Sequence, residues 1–104
     1  MVQFDVYTNP NPVTKRAIPY LLDIQTDLLN NMTTRVVIPL YTVSALGKAA
    51  KHLNIQFSVK RTTVIMSTAE LAGVAVNSLG DEVCSLKEHR NEIIAAIDFL
   101  VTGI

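Results

Sequence analysis

The stretch RVVIPLYT, residues 35–42, carries the strongest β-strand signal in the sequence and decides the fold class. The β-branched residues from Val36 to Ile38 favour an extended backbone, because their side chains lose rotamer freedom in a helix. Pro39 cannot donate a backbone hydrogen bond, so it predicts a sheet edge, a bulge or the end of the strand. A sheet built around this segment is therefore expected.

Shorter strand signals lie on both sides of this segment. Val2, Phe4 and Val6 form one face of an alternating pattern, and a period of two predicts a half-buried strand. Residues 9–16 begin with two Asn-Pro pairs and are expected to form an exposed, mobile loop. Further strands are expected over residues 18–25, 55–59, 62–66 and 74–78. Short turns between such strands predict a mainly antiparallel sheet.

The last part of the sequence predicts one long helix. Ser85 and Glu88 have the spacing of a capping box, in which the Ser85 hydroxyl accepts a hydrogen bond from the N–H of Glu88. Apolar residues recur at helical spacing, and Gly103 is a suitable residue to follow a helix. The helix is therefore expected from Leu86 to Val101. With at least five short strands, it predicts either a small, partly open β-barrel packed on a helix or a two-layer α+β sandwich.

Composition and charge narrow the class of protein. The 104 residues correspond to about one small domain, and 49% of them are hydrophobic. Nine basic residues balance nine acidic ones, which argues against a dedicated nucleic-acid binder and favours a homo-oligomer. The single cysteine, Cys84, cannot form an intrachain disulfide, and no apolar run approaches the roughly 18 residues of a membrane span. A cytoplasmic protein that makes no contact with a membrane is expected.

The sequence holds little evidence for catalysis or metal binding. Its four glycines form no phosphate-binding loop, and Cys84, His89 and His52 are too few ligands for a structural zinc site. Arg35 and the pair Lys60-Arg61 each adjoin two threonines and are candidate phosphate contacts. Solvated side chains are expected at both places, because Lys and Arg are rarely buried. No metal and no cofactor are expected.

Two features are more typical of partner binding. Leu28 and Leu29 stand together in a polar segment, where one leucine can reach a core but both rarely can. At the end of the chain, the predicted helix delivers Thr102, Gly103 and Ile104 into solvent, with apolar surface next to a carboxylate. Such a tail can fill a pocket of a partner, although a frayed end is the simpler interpretation.

Several short blocks follow one another in a recognisable order over nearly the whole chain. They are VQFDVYT (2–8), DIQTDLL (23–29), VIPL (37–40), SLGDEV (78–83), HRNE (89–92) and the final GI (103–104). In this order and spacing they resemble the CcdB family of toxins. The resemblance implies a homodimer with an SH3-like β-barrel and a C-terminal helix, formed by one domain over residues 1–104. It also implies a toxin of a toxin–antitoxin pair with no enzymatic activity and no direct nucleic-acid binding of its own.

The resemblance further implies the partners. Toxins of this family bind the A subunit of DNA gyrase and trap gyrase with both DNA strands cut. A cognate antitoxin neutralises the toxin through a disordered C-terminal segment, and the pair represses the shared operon. The family's gyrase-contacting positions fall on Leu28, Leu29, Asp98, Val101, Thr102, Gly103 and Ile104. Antitoxin contacts are implied at Asn9, Asn11, Lys15, Arg16 and Ile104.

One departure from the family pattern bears on gyrase binding. Family members commonly carry a tryptophan just before the Gly-Ile end, whereas this chain has Thr102 there and no tryptophan anywhere. The tryptophan is taken to stack on an arginine of gyrase, an interaction worth about 0.5–2 kcal/mol. Weaker or differently arranged binding to a given gyrase is therefore expected.

An alternative function on the same barrel is a MazF-like endoribonuclease, since a fold does not determine a function. Such an enzyme needs an arginine and an acid–base partner in a basic RNA groove, and Arg35, His52 and Arg61 are the candidates. The zero net charge and the lack of an aromatic cluster count against this alternative.

Overall fold

A computed structural model of the protein describes residues 1–47 and 54–103. Seven strands lie within these ranges: β1 (Asp5–Thr8), β2 (Tyr20–Asp23), β3 (Thr34–Thr42), β4 (Asn54–Val59), β5 (Thr62–Ser67), β6 (Ala72–Ala75) and β7 (Glu82–Ser85). The helices in the same ranges are the short α1 (Val43–Leu46) and the longer α2 (Arg90–Thr102). Single 3₁₀ turns occur at Asp27–Leu29, Thr68–Glu70, Val76–Ser78 and Lys87–His89. No helix in the described ranges is long and apolar enough to cross a membrane.

The strands form one curled, antiparallel sheet that resembles half a barrel. Its order is β4-β5-β3-β2-β1-β7, and β6 pairs separately with β3. Every paired strand is antiparallel to its neighbour. The prediction of a mainly antiparallel β-fold with a C-terminal helix is therefore confirmed.

Strand β3 organises this sheet, as its sequence predicted. One side of β3 pairs with β2 along residues 37–40, and the other side pairs with β6 as far as Val37 and with β5 from Leu40 onward. On the edge of β3 that faces β6 and β5, Pro39 lies between the segments paired with these two strands. Its missing N–H therefore costs no hydrogen bond between strands. The proline therefore marks the place where β3 changes partner, and the strand continues through it to Thr42.

The core lies between the concave side of the sheet and α2. Ile93 and Ala96 of the helix are buried and pack against side chains from the strands. The other buried members of this cluster are Phe4, Val6, Leu22, Ile38, Leu40, Phe57, Val59, Val64, Met66 and Leu86. Since apolar burial is the main driving force for folding, this cluster docks the helix on the sheet.

The start of the chain departs from the predicted alternation. Strand β1 begins at Asp5 rather than Val2, and Asp5, Val6 and Tyr7 are all buried. Val2 is exposed, and Phe4 adopts a positive φ of 73°, which an alternating strand does not contain. Successive side chains point to opposite faces of the sheet, so their burial shows that both faces of β1 are covered, and β1 is also an inner strand between β2 and β7. The predicted half-buried strand over residues 2–7 is therefore corrected to a shorter, buried one.

The approach to the helix also differs from prediction. Residues 82–85 form strand β7, which the sequence did not reveal, and a 3₁₀ turn at Lys87–His89 precedes α2. The Ser85 hydroxyl accepts its hydrogen bond from the N–H of Lys87, at 3.2 Å, so the predicted bond to Glu88 is wrong. Pairing of Ser85 with Asp5 keeps Ser85 in the sheet and delays the helix to Arg90.

Other boundaries differ less. The segment predicted as a strand at 74–78 divides into β6, which ends at Ala75, and a 3₁₀ turn. The hairpin between β4 and β5 has the predicted turn at Lys60-Arg61, and both residues have positive φ. Gly103 follows α2 in the left-handed conformation, with φ 75°, as its position predicted.

Candidate functional site

The leucine pair lies on a single 3₁₀ turn, Asp27–Leu29, which we call the leucine turn. Leu28 is 92% exposed and Leu29 is 48% exposed, so neither side chain reaches the core. The Thr26 hydroxyl accepts a hydrogen bond from the N–H of Leu28, at 3.4 Å, and caps the start of the turn. Two apolar side chains thus project from the connection between β2 and β3, on the surface of the molecule.

A buried ion pair lies behind this turn. Asp23 on β2 and Arg35 on β3 are each fully buried, and their Oδ2 and Nη2 atoms are 2.6 Å apart. The Nε of Arg35 donates a second bond to the same oxygen at 2.9 Å. The prediction of a solvated Arg35 is therefore wrong, because the antiparallel pairing of β2 and β3 brings a carboxylate to it. Burial raises the pKa of Asp23, while bonds from Arg35 and from the N–H of Gln25 act in the opposite direction.

The ion pair is connected to the leucine turn by further hydrogen bonds. Arg35 Nη1 donates to Oδ1 of Asn30 at 2.9 Å, and Arg35 Nη2 donates to the carbonyl of Gln25 at 3.3 Å. The amide of Gln25 donates to the carbonyl of Leu29 at 3.0 Å and accepts from the N–H of Val36 at 3.0 Å. Sequence reasoning missed Asp23, Gln25 and Asn30, because no local pattern shows that their side chains converge.

The exposed end of α2 carries the other predicted gyrase contacts. Val101 is 74% exposed, and Asp98, Thr102 and Gly103 are exposed as well. The Thr102 hydroxyl donates to the carbonyl of Asp98 at 2.8 Å, and the N–H of Gly103 bonds to the carbonyl of Phe99. These bonds hold the last helical turn through Gly103 and argue against a frayed end within that range. Ile104 lies outside the described residues.

All six described residues at predicted gyrase contacts are exposed. They lie on two elements that are distant in the sequence, the leucine turn and the end of α2. Exposure leaves both groups accessible to a partner, and an exposed apolar patch is typical of a protein–protein interaction site.

The loop at residues 9–16 is built around its asparagines. Asn9 donates to the hydroxyl of Thr14 and to the carbonyl of Ile18, both at 2.9 Å. The side-chain oxygen of Asn11 accepts from the N–H of Val13 at 2.9 Å. These bonds give the loop a defined shape, and they leave Lys15 and Arg16 exposed. Of the predicted antitoxin contacts in this loop, Asn11, Lys15 and Arg16 are exposed and Asn9 is half-buried.

An open apolar groove lies next to the start of β3. It has a volume of about 520 Å³ and is lined by Met32, Thr33, Thr34, Ala75, Val76 and Asn77. Met32 is 49% exposed, so the groove presents apolar surface to solvent. No sequence pattern predicted it, because its two walls come from segments about forty residues apart.

The described residues that were considered for catalysis or metal binding make separate contacts. Nδ1 of His89 lies 3.0 Å from a carboxylate oxygen of Glu92, and its ring packs on Phe57 with centroids 5.0 Å apart. Cys84 is half-buried, and burial raises the pKa of its thiol. Arg61 is exposed on the β4–β5 hairpin, and His52 lies outside the described residues. In residues 1–47 and 54–103, no group of three or more His, Cys, Asp or Glu side chains is placed to hold a metal ion.

Comparison with known proteins gives a family and a fold. The family model described as CcdB protein matches residues 3–103. An endoribonuclease in complex with its cognate antitoxin, from a mycobacterial species, superposes with a TM-score of 0.76 at 14% identity, covering 97% of this chain and 94% of that chain. A second mycobacterial endoribonuclease gives 0.73 at 14% identity, covering 97% and 90%. The Mycobacterium tuberculosis toxin MazF-mt6 gives 0.74 at 13% identity, covering 93% and 95%. At these identities the structural likeness establishes the fold alone.

Proposed function

This chain belongs to the CcdB family of toxins from toxin–antitoxin systems, and on that premise we propose that its target is DNA gyrase. The toxin binds the A subunit and traps the gyrase–DNA complex after both strands have been cut. The chain does no chemistry of its own in this mechanism. It acts by binding, so its exposed surface carries the function.

The single observation that supports this proposal best is the leucine turn. Leu28 is 92% exposed, although burying a leucine side chain is worth about 1.5–3 kcal/mol. A monomer gains nothing from this exposure, whereas a partner that covers Leu28 and Leu29 gains their apolar area. The family's other contact positions, Asp98 and Val101 to Gly103, are also exposed.

Thr102, which stands where family members commonly have tryptophan, lowers the expected affinity for gyrase. Its hydroxyl bonds to the carbonyl of Asp98, so it faces the helix rather than extending as a stacking surface. Loss of the family's aromatic contact removes an interaction of about 0.5–2 kcal/mol, which weakens affinity without removing the leucine and Gly103 contacts. We therefore propose a weaker gyrase poison than family members that carry the tryptophan.

We further propose a homodimer that is neutralised by a cognate antitoxin and represses the shared operon together with it. The toxin supplies the exposed Lys15 and Arg16 to the antitoxin, and Asn9 and Asn11 shape the loop that presents them. Opposite charge on an antitoxin segment would speed association and set its register.

An endoribonuclease is the alternative, and the mycobacterial enzymes share the fold. The burial of Arg35 counts against it here, because a side chain with no exposed surface and an ion-paired guanidinium cannot bind RNA phosphate. The alternative is therefore retained as an outcome of the experiment and not as a second proposal.

A plasmid cleavage assay tests the proposal. Purified toxin is incubated with gyrase from a plausible host, ATP and supercoiled DNA, followed by detergent and protease. We expect toxin-dependent linear DNA from the natural chain and none from Leu28→Asp, which places a charge on the contact surface. Val13→Asp is the matched control, because Val13 is 86% exposed on a different loop.

The outcomes separate the two functions. Linear DNA from the natural chain and from Val13→Asp, but not from Leu28→Asp, supports the proposal. Absence of linear DNA together with cleavage of a single-stranded RNA substrate would overturn it in favour of the endoribonuclease. Equal cleavage by all three proteins would show that the leucine turn is not the contact surface.

A further inference from the structure

We propose that the polar network behind the leucine turn consists of positioning residues, which hold Leu28 and Leu29 in a fixed, exposed conformation. The network comprises Asp23, Gln25 and Arg35, all buried, with the exposed Asn30 at its rim. This inference rests on the proposed function, since a fixed conformation of Leu28 and Leu29 matters only if a partner binds them.

The network contacts the leucine turn on both sides. The guanidinium of Arg35 bonds to the carbonyl of Gln25, which lies before the turn, and to the side chain of Asn30, which lies after it. The amide of Gln25 bonds to the carbonyl of Leu29, inside the turn. The guanidinium of Arg35 and the side-chain amide of Gln25 therefore connect the residues before and after the leucine turn to each other and to β3.

The N-terminal segment adds a second attachment from the other direction. The N–H of Gln3 donates to the carboxylate of Asp27 at 2.8 Å, and the Gln3 amide donates to the carbonyl of Ile24 at 3.0 Å. Next to it, Phe4 has a φ of 73°, and its N–H bonds to the carbonyl of Asp23 at 2.6 Å. A non-glycine residue persists in this conformation only where its surroundings determine it, and such residues cluster at functional sites.

Stability alone explains the network poorly. Replacing a buried ion pair by apolar residues of similar volume is often neutral or stabilising, so a core of this size has no need of one. An ion pair with satisfied hydrogen bonds instead imposes one geometry on the groups that it joins. Among the described residues no buried side-chain nitrogen or oxygen is left without a hydrogen bond, so the network is complete in the free chain.

Asn30 provides the sharpest test, because it is exposed and can be changed without opening the core. Asn30→Ala removes the acceptor for Arg35 Nη1, and Asn30→Asp keeps an acceptor oxygen at the same place. Asn31→Ala, at the neighbouring exposed position, is the matched control.

The first measurement is amide hydrogen exchange in the free toxin, which requires no partner. We expect exchange at residues 28–30 to accelerate about tenfold in Asn30→Ala, the equivalent of one hydrogen bond. Exchange in β3 and α2 should stay unchanged, and Asn30→Asp should restore the natural rate. Unchanged exchange at residues 28–30, or equal acceleration throughout the protein, would overturn the proposal.

The second measurement is affinity for the gyrase A subunit, compared with DNA cleavage at saturating toxin. We expect Asn30→Ala to weaken binding about tenfold and to leave saturated cleavage unchanged, because contacts are mispositioned and not removed. In a Leu28→Ala, Leu29→Ala background the same change should have no effect on binding. Natural affinity in a variant with accelerated exchange would overturn the positioning role. Failure of the natural chain to bind gyrase would refute the proposed target, and the exchange result would still decide whether the network holds the turn.

Discussion

Tyr7 lies among several charged residues that are buried in this small fold. Asp5, Asp23 and Arg35 are buried near one another, and Tyr7 is 6% exposed beside them on β1. Burial, followed by the charges of Asp5, Asp23 and Glu82, raises the pKa of Tyr7 to about 12. Only Arg35 acts in the opposite direction among these neighbours. The tyrosine hydroxyl is therefore held neutral in a pocket that already contains two carboxylates.

The pKa of Tyr7 predicts alkaline behaviour. Because the folded-state pKa lies above the ordinary value of 10.0, Tyr7 stabilises the folded state below pH 10.0, and this contribution is lost as the pH rises toward about 12. A spectrophotometric titration of tyrosine ionisation should show a phase near pH 12 that disappears in Tyr7→Phe. Burial and the hydrogen-bonded Glu70 also raise the pKa of Tyr41. Tyr41→Phe is the control and should retain that phase. Ionisation of every tyrosine in one step near pH 10.0 would contradict the prediction.

Gly103 carries the clearest prediction for a single residue. Its φ of 75° strains any L side chain, but a Cβ built there meets nothing within 4 Å. We expect Gly103→Glu to lower stability by only about 1–2 kcal/mol, the ordinary penalty for the left-handed conformation. It should abolish toxin-dependent DNA cleavage, because it adds bulk and charge where a partner approaches the end of α2.

The control for Gly103→Glu is Thr63→Glu, which adds the same charge at an exposed position of β5. Thermal unfolding should remain cooperative in both variants, and only Thr63→Glu should retain cleavage activity. A loss of cooperative unfolding in Gly103→Glu would show that the end of α2 is a structural element and not only a contact surface.

At the scale of elements, the β4–β5 hairpin is the connection with the least suitable residues. Val59 pairs with Thr62 across a two-residue loop, and Lys60 and Arg61 have φ values of 49° and 66°. Positive φ at both positions is the geometry of a type I′ turn, for which Asn-Gly is the favoured sequence. The hairpin thus forms because β4 and β5 pair along their whole length, against the local preference of its loop.

This conflict predicts a stabilising substitution. The double variant Lys60→Asn, Arg61→Gly should raise the free energy of unfolding by about 1–2 kcal/mol, since Asn and Gly adopt the left-handed conformation at a lower cost than Lys and Arg. Urea denaturation should show a higher midpoint with an unchanged slope. Lys60→Gln, Arg61→Gln removes the same charges but keeps both side chains, and it should leave the midpoint near its natural value. A rise in both variants would assign the effect to charge and refute the backbone explanation.

At the scale of the whole molecule, apolar surface remains exposed after the core has formed. The leucine turn, the end of α2 and the groove beside Met32 all present such surface, and the formal net charge is zero. A chain with this combination is expected to cover part of the surface by self-association. The homodimer proposed above would cover such surface in a closed form.

Light scattering coupled to size-exclusion chromatography tests the dimer. We expect a mass of twice the 11.4 kDa of one chain, constant over a wide concentration range. A mass that rises steadily with concentration would indicate open-ended association, and a mass of one chain at every concentration would refute the homodimer. Leu28→Asp should leave the dimer mass unchanged, because in our proposal the leucine turn contacts gyrase and not the second copy of the chain.

The periodic features of this protein could be predicted from neighbouring residues alone. The β-branched run of β3, the alternation of Ile55, Phe57 and Val59, and the glycine after α2 depend on local preferences that neighbouring residues express directly. The sequence also predicted that Leu28 and Leu29 would rarely both reach a core, and in the structure neither of them does.

Tertiary structure decided the features that depend on pairing between distant segments. Arg35 was expected in solvent and is buried, because the register of β2 and β3 places Asp23 beside it. Strand β7 exists because Cys84 and Ser85 pair with β1, some eighty residues away in sequence, although residues 82–85 carry no strand pattern. Such contacts are set by the closure of the sheet. A local pattern can therefore show which residues are able to form a surface, but only the folded chain shows what holds that surface in place.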